Sequence, residues 1–322
     1  MRTLPFLAFL SLSTAASATG PTRFAPEQLG QDGRITLAPG FSPDGETIYF
    51  AQSEGSLIWE YPQRLKVSHL TAKGWTTPER VPLPAPEVAG RVEPRVDNPS
   101  VSPDGKTLLF SWSTPRAEYA DRDIYENFDL YTLDLTDPSA VPEPIRGSDI
   151  NRVREGRYKK VRYVNNENEP VLTRDGDLYF WSERLDGYGD RDIYVARADG
   201  NGGFRTAEPL PAPINSPGRD NGSWVSADGR LMLMSYSDRG GEGDSDIFLS
   251  IREGGTWSEP VPLGPSVNGR ASEFAGRITP DGKLLVFNST RAFGDTPEGL
   301  IQIWSIPVAD VPVLADALSS VD

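Results

Sequence analysis

The sequence contains no cysteine and a single histidine, His69, among its 322 residues. Without cysteine the chain can form no disulfide, no thiolate nucleophile and no metal site with cysteine ligands. His69 lies in a strand-like stretch, where a hydrogen-bonded polar residue is the expected role rather than catalysis or metal ligation. Nothing in the sequence marks a Ser-His-Asp triad, a phosphate-binding loop or a metal centre built on histidine.

Basic residues are also scarce, because 32 Lys and Arg stand against 46 Asp and Glu, for a net charge of −14. Such a chain repels nucleic-acid backbones and anionic membrane surfaces. We expect no nucleic-acid partner, no membrane insertion and a monomeric protein. The acidic balance favours solubility and suits cationic partners or divalent cations.

Long apolar runs are absent except near the start, where Leu4–Leu12 follows Arg2 and precedes the small residues Ala16-Ser17-Ala18. A positive start, a short apolar stretch and a small-x-small site predict a signal peptide over residues 1–18. The alternative, a membrane anchor, needs a longer apolar run. We therefore expect a periplasmic or secreted protein, and the missing cysteine disfavours a lipid anchor.

Glycine and proline are abundant, with 31 and 29 copies, and no long segment has a helical period, so an all-β protein is predicted. A turn that ends in Asp-Gly recurs between short apolar runs. Its aspartates are spaced 53 to 71 residues apart, which indicates a repeat architecture. The five copies are Ser42–Gly45, Ser102–Gly105, Thr173–Gly176, Ser226–Gly229 and Thr279–Gly282.

Each repeat predicts four antiparallel strands, the last of which carries proline and therefore lies at a sheet edge. Five such units predict a β-propeller of five blades over residues 19–306, with residues 307–322 as a C-terminal tail. The last unit has no clear fourth strand, whereas residues 22–29 resemble one without a unit of its own. We expect them to complete the last blade and close the ring. A sixth blade within residues 112–165 is the alternative.

A further motif, Ser-x-Arg, follows the second strand of three units. With the Pro-Asp-Gly turn, Asp-Ile-Tyr and Trp-Ser-x-Pro, it resembles the WD40-like propeller repeat of the TolB type over about residues 22–306. This resemblance implies a propeller, of which the family has periplasmic scaffold proteins and examples attached to enzymes. Five units depart from the commoner six, and no attached catalytic domain is expected. The three copies are Ser182-Glu183-Arg184, Ser237-Asp238-Arg239 and Ser289-Thr290-Arg291.

Charged and amide residues precede each inner strand and should ring one mouth of the central channel. They predict a pocket for a protein, peptide, polar small molecule or glycan. The alternative is that they hydrogen-bond one another and tie the ring together. The candidates are Arg95, Asp97, Asn98, Glu167, Glu169, Arg219, Asp220, Asn221, Glu273 and Arg277, with Asn168 and Ser272 beside them.

Two other stretches stand out. The loops 186–192 and 238–246 are acidic and rich in glycine, which suits either Ca²⁺ or a structural turn without a cofactor; we favour the turn. Six basic residues within 152–162 indicate either a docking patch or a solvated loop. These residues are Arg152, Arg154, Arg157, Lys159, Lys160 and Arg162.

The sequence therefore predicts an exported binding module, whose partner surface is the loop-rich face, and assigns no catalytic residue. The alternative is a carbohydrate-active enzyme of the glycosidase type, which needs a pair of carboxylates in the channel. Its candidate acids are Glu167, Glu169, Asp220 and Glu273. The tryptophans Trp75, Trp257 and Trp304 recur at blade positions and are expected to pack between blades.

Overall fold

The computed structural model describes residues 20–30, 33–56, 62–84, 95–113, 128–151, 155–158, 161–163, 166–184, 186–295 and 298–321. Five four-stranded antiparallel blades form a ring, which confirms the predicted five-bladed β-propeller. The inner strands of successive blades contact one another, and the last contacts the first. They surround a central channel. The predicted signal peptide lies outside the described residues and stays a prediction.

The strands of the first two blades run outward from the channel in chain order. Blade 1 consists of β2 (Thr36–Phe41), β3 (Thr47–Ser53), β4 (Gln63–Thr71) and an outer edge formed by β5 (Gly74–Trp75) and β6 (Glu79–Arg80). Blade 2 consists of β7 (Val96–Val101), β8 (Thr107–Trp112), β9 (Asp129–Asp134) and β10 (Glu143–Pro144).

Blades 3 and 4 repeat this order, and blade 5 takes its outermost strand from the start of the described chain. Blade 3 consists of β13 (Glu167–Leu172), β14 (Leu178–Ser182), β15 (Asp192–Ala196) and β16 (Glu208–Pro209). Blade 4 consists of β17 (Asp220–Val225), β18 (Leu231–Tyr236), β19 (Asp246–Glu253) and an edge formed by β20 (Thr256–Trp257) and β21 (Val261–Pro262). Blade 5 consists of β22 (Glu273–Ile278), β23 (Leu284–Ser289), β24 (Gln302–Pro307) and β1 (Thr22–Arg23).

The ring closes through β1, which pairs with β24 so that Thr22 lies opposite Ser305. The Phe24 amide continues this pairing with a hydrogen bond of 2.9 Å to the Ile303 carbonyl. The predicted N-terminal closure is therefore confirmed, but the strand ends at Arg23 instead of spanning residues 22–29. Pro26 has no amide hydrogen to extend the ladder. The chain instead makes a helical turn that buries Leu29 completely.

The Asp-Gly turns form as predicted, with a hydroxyl group at the first position of four of them bonded to the aspartate. In the first copy, Ser42 Oγ donates to Asp44 Oδ1 at 2.5 Å and accepts the Thr47 amide at 2.9 Å. Gly45 then adopts φ 74°, where a Cβ atom would be strained. The five turns lie on one face of the propeller, the turn face. The blade-to-blade loops and the loops between second and third strands lie on the other, the loop face.

A short hairpin, β11 (Glu155–Tyr158) and β12 (Val161–Tyr163), separates blades 2 and 3. The described part of residues 112–165 holds this hairpin beside the strands of blade 2, and a sixth blade does not form. Arg157 and Arg162 of the basic run lie on the two hairpin strands. Arg152, Arg154, Lys159 and Lys160 lie outside the described residues.

The C-terminal segment, which the sequence analysis treats as a tail, forms a 3₁₀ turn at Val308–Asp310 and the helix α1 at Pro312–Val321. Val311, Leu314 and Ala317 are buried against the blade 4–5 core. No helix in the described part of the chain is long and apolar enough to cross a membrane.

The tryptophans named by the sequence analysis pack as expected. Trp257 and Trp304 belong to buried clusters, and Trp257 meets Tyr179 edge-on at 6.4 Å between ring centroids. Trp75 packs against Phe24 and Phe41, which joins the closing segment to blade 1.

Candidate functional site

All five inner strands share one irregularity, a shift in their pairing with the second strand of the blade. In four of them the third residue has a left-handed backbone, which bulges the strand. These residues are Ala38, Asn98, Glu169 and Ala275, with φ between 47° and 57°. The strands also approach closely, since a Cβ atom on Gly40 would lie 2.2 Å from the Pro99 carbonyl oxygen.

The first residue of the inner strand is a buried carboxylate in blades 3, 4 and 5. In blade 3, Glu167 is completely buried, and its Oε1 accepts a bond of 2.9 Å from Arg184 Nε. Its Oε2 accepts the Asn151 amide at 2.8 Å. Arg184 also donates to the Asp149 carbonyl at 2.8 Å and lies over the Tyr194 ring. Both charges are therefore paired and hydrogen-bonded.

Blades 4 and 5 repeat this arrangement. Asp220 accepts the Ser216 amide at 2.6 Å and lies 3.4 Å from Arg239, while Glu273 accepts the Gly269 amide at 2.8 Å and lies 3.0 Å from Arg291. Each arginine comes from the Ser-x-Arg motif of the same blade. We call the pairs Glu167–Arg184, Asp220–Arg239 and Glu273–Arg291 the blade locks.

Amide groups connect adjacent inner strands. Asn98 Nδ2 donates to Asn168 Oδ1 at 3.0 Å, which ties blade 2 to blade 3. Arg95 is buried, and its Nε donates to Gln63 Oε1 of blade 1 at 2.7 Å. These predicted site residues thus bond across blade boundaries.

On the loop face, one carboxylate serves two arginines. Glu183 Oε1 accepts from Arg191 Nη2 at 2.5 Å and from Arg219 Nη2 at 3.3 Å. Arg191 also donates to Asn221 Oδ1 at 2.5 Å, and its guanidinium lies 3.7 Å from the centroid of the Trp181 ring. This cluster joins blades 3 and 4.

The acidic loops dock on the next blade. The Asp190 amide donates to the Gly218 carbonyl at 2.9 Å, and Ser245 bridges to Ser272. Asp192 Oδ2 accepts two amides of its own loop, from Tyr188 at 2.9 Å and from Gly189. Each acidic loop therefore contacts the neighbouring blade. Within the described residues, no group of three or more His, Cys, Asp or Glu residues could hold a metal ion.

Three predicted residues, Asp97, Glu169 and Arg277, form a charged cluster in the channel, which we call the axial cluster. Arg277 is 3% exposed, and within the described structure its Nε and Nη2 have no hydrogen-bond partner. Glu169 is 7% exposed, and its Oε2 likewise lacks one. Buried donors and acceptors without partners are uncommon and costly, which separates this cluster from the blade locks.

Burial controls the protonation of the axial cluster. It raises the pKa of Glu169 to about 8, against the attraction of Arg277. It raises the pKa of Asp97 to about 6, against Arg95 and Arg277. Burial also lowers the pKa of Arg277 to about 10. At neutral pH Arg277 is therefore charged while Glu169 is largely protonated.

A cavity of about 380 Å³ lies on the channel axis and opens to the turn face. We call it the turn-face cavity. Its wall is built from the fifth and sixth residues of the inner strands, and its rim from one residue or more of each Asp-Gly turn. The fifth residues that line it are Ser100, Val171, Trp224 and Arg277.

The cavity gives Arg277 a different place from the one that the sequence predicts. Arg277 is the sole charged residue among the five fifth positions, and the remaining wall is largely apolar, including Phe41 and Trp224. Other lining residues were not among the candidates predicted from the sequence, namely Phe41, Ser100, Val171, Trp224 and the rim residue Arg174. An alignment of the five inner strands would have shown Trp and Arg at the fifth position, where the other three blades have Gly, Ser and Val.

Solved structures of propellers are similar to this chain, whereas no protein-family model and no curated protein matches it. TolB from Acinetobacter baumannii is 18% identical with a TM-score of 0.46, over 84% of this chain and 54% of that one. Zg3597, a family 117 glycoside hydrolase from Zobellia galactanivorans, is 15% identical with a TM-score of 0.48, over 90% and 88%. A protein described as a glycoside hydrolase is 9% identical with a TM-score of 0.54, over 90% and 89%.

At these identities the similarity shows the propeller fold alone, because one fold supports many functions. The chain also spans about half the length of the TolB structure.

Proposed function

We propose that the protein is an exported binding module whose ligand lies in the turn-face cavity. The observation that carries this proposal is Arg277, a buried cation that lines an otherwise largely apolar cavity and whose Nε and Nη2 have no hydrogen-bond partner within the described structure. Ligand sites are typically apolar concavities with a few polar groups that orient the ligand. A bound group would complete the hydrogen bonds that the protein leaves unmade.

On the loop face, several residues of the predicted ring already have partners. Asn98, Asn221 and Arg219 of the predicted ring bond to neighbouring side chains, and the first-position carboxylates form the blade locks. The resemblance of the repeat motifs to the TolB type supports a binding role but does not identify the partner.

Blocking the cavity tests the proposal. Ala227 lies at the rim, so Ala227→Trp should close the entrance, while Val141→Trp alters an exposed position on the outside of blade 2. Calorimetry with N-acetyl amino acids, dipeptides and oligosaccharides should find a ligand for the wild type and for Val141→Trp, and weaker binding to Ala227→Trp. Equal binding to both variants, or no binding by any compound, would contradict the proposal.

A second candidate is a carboxylate-based glycoside hydrolase. Glu167, Asp220 and Glu273 are held in the blade locks, which leaves Asp97 and Glu169 as the acids of the channel. Glu169, with its raised pKa, could supply a proton as a general acid, while Asp97 would act as base or nucleophile. This role requires that the substrate reach the axial cluster.

A panel of aryl glycosides distinguishes the two functions. An enzyme should lose at least about 100-fold of its turnover in both Glu169→Gln and Asp97→Asn. Arg205→Gln, at an exposed position on the outer edge of blade 3, serves as the control. A wild-type protein that turns over no glycoside favours the binding module.

A further inference from the structure

We infer that the turn-face cavity binds a carboxylate that carries an aromatic or aliphatic group, the chemistry of a hydrophobic peptide C-terminus or of a small organic acid. This inference rests on the proposed function and adds the class of ligand. Its basis is the combination of the unpaired edge of Arg277, the charge around it and the apolar wall.

The unpaired atoms of Arg277 are Nε and Nη2. Their N–H bonds lie on the same edge of the guanidinium and point in parallel, which matches the two oxygens of a carboxylate. The same protein shows this edge in use, because Arg184 directs Nε and Nη2 to the carboxylate of Glu167. At Arg277 both donors of this edge lack a hydrogen-bond acceptor within the described structure.

The charges favour an anion at this point. Arg277 stays protonated at neutral pH, whereas burial keeps Glu169 largely neutral. Asp97 offsets part of the charge, and the rim residue Arg174 adds another cation. Arg95 and Arg191 are the other cations whose charges act on the two acids of the axial cluster.

The aspartates of the turns favour a singly charged anion over a phosphate. All five turns that surround the cavity carry an aspartate, and hydrogen bonds to Ser or Thr hydroxyls and to backbone amides lower the pKa of Asp44, Asp104 and Asp281. Such a rim repels a dianion more strongly than a monoanion. Solvent screens these exposed charges, whereas Arg277 acts in a buried site.

The apolar wall accommodates the second half of the ligand, its aromatic or aliphatic group. Phe41, Val171 and Trp224 line the cavity, and its volume of about 380 Å³ falls within the range of small-molecule sites. An aromatic or aliphatic group packed there would remove apolar surface from water while its carboxylate met Arg277.

Matched acids and amides test the inference. The probes are N-acetyl-L-phenylalanine and its primary amide, measured by calorimetry at pH 7 with acetate and inorganic phosphate as further arms. We expect the acid to bind at least about 100-fold more tightly than the amide. The amide cannot accept hydrogen bonds from both donors of Arg277, and it lacks the negative charge of the carboxylate. Phosphate should bind more weakly than the acid.

Variants identify the residues responsible. Arg277→Gln should abolish the preference for the acid, and Trp224→Ala should weaken both probes by about 10-fold or more. Arg205→Gln removes an exposed cation at the outer edge of blade 3 that does not line the cavity, and it should keep the preference within about 3-fold of the wild type. Thermal melts verify that each variant is folded, and Arg277→Lys provides a second, charged variant if Arg277→Gln does not fold.

The outcomes separate the inference from the proposed function. Equal affinity for acid and amide, or a preference that survives in folded Arg277→Gln, overturns the inference. If another compound binds and Ala227→Trp blocks it, the binding function stands without the carboxylate. If nothing binds, both fall. Where the acid binds as expected, comparing Gly-Gly-Gly-Phe with 3-phenylpropionate distinguishes a peptide C-terminus from a small organic acid. A peptide ligand predicts that Gly-Gly-Gly-Phe binds more tightly.

Discussion

Glu167 and Glu169 lie two residues apart on the same strand, and both are buried, yet they belong to different regions of the molecule. Glu167 belongs to a blade lock and has an arginine and a backbone amide as partners. Glu169 belongs to the axial cluster, where its Oε2 has none within the described structure. Burial is the same; the satisfaction of hydrogen bonds differs.

This difference separates a carboxyl group that stabilises the fold from one whose hydrogen bonds are incomplete. A buried ion pair with all its hydrogen bonds made stabilises a geometry, and removing one partner leaves the other charge uncompensated. Glu169 is largely neutral at neutral pH, so Glu169→Gln breaks no such ion pair. Glu169 also holds a left-handed backbone at φ 57°, which adds strain of a kind that is frequent at functional sites.

The largest expected effect is on stability. Glu167→Gln keeps the side-chain volume but leaves Arg184, whose side chain is 1% exposed, without a counter-charge. We expect a loss of about 3 kcal/mol or more in the free energy of unfolding. Glu169→Gln should change it at pH 4.5, the lower end of the window in which the Glu169 proton affects stability, by about 1 kcal/mol or less, and urea denaturation at that pH measures both.

The double variant Glu167→Gln/Arg184→Met is the control, because it removes both charges and should recover part of the loss. Equal losses from the two single substitutions would show that the lock and the axial cluster do not differ.

The next effect is a pH dependence of stability. The ordinary pKa of a glutamate side chain is 4.5, and burial raises that of Glu169 to about 8. Between these two pH values the folded protein keeps the Glu169 proton, whereas the unfolded chain has lost it. Folding stability therefore falls as pH rises through this window, by up to about 1.4 kcal/mol per unit. Glu169→Gln lacks this slope, so its stability relative to the wild type should rise from pH 5 to 8 and level off above.

Asp44→Asn serves as the control for that series. The pKa of Asp44 is lowered by its hydrogen bonds, so the stability it contributes is lost only as pH falls through the acidic range. Its difference from the wild type should stay flat between pH 5 and 8. A flat difference for Glu169→Gln as well would contradict the raised pKa.

A smaller effect concerns the coupling within the axial cluster. Arg277 lowers the pKa of both Asp97 and Glu169, so Arg277→Gln should raise both values. Carbon-13 NMR titration of the side-chain carboxyls measures the two shifts. The pKa of the blade-lock acid Asp220, which burial raises, should not change, because Arg277 is not among the groups that act on it; a change there would indicate a general rearrangement.

The smallest expected effect is at the loop face. Arg219 is 40% exposed on its side chain and lies 3.3 Å from Glu183, which already pairs with Arg191. Arg219→Ala should cost less than about 1 kcal/mol, since exposed ion pairs contribute little. Denaturation in low and high salt measures it. A loss comparable to that of Glu167→Gln would place Arg219 among the structural charges.

Much of the fold could be predicted because its signals are local. Ser42, Asp44 and Gly45 form a turn with bonds inside a few residues, and its recurrence indicated the blade count. The closing strand was predicted from its place in the repeat, although Pro26 ended it early. The helix at Pro312–Val321 was missed, since ten residues give little periodicity and its stability comes from packing on the blade 4–5 core.

The site was predicted in part. Arg277, Asp97 and Glu169 were among the candidates, but so were the carboxylates of the blade locks, and sequence alone could not tell the two groups apart. The partner of Glu167 is Arg184, which lies 17 positions further along the chain. The two come together because the first two strands of blade 3 are antiparallel. Trp224 and Phe41 come from different blades and meet only around the axis.

The amino-acid sequence by itself determined the repeat, the turn chemistry and the number of blades, because each depends on contacts within one unit. Tertiary structure alone decided which buried charges found partners and on which face the cavity opened. Hydrogen bonding and desolvation depend on the neighbours that ring closure brings together, and such neighbours can lie 250 residues apart, as the bond between Ala38 and Asn288 shows.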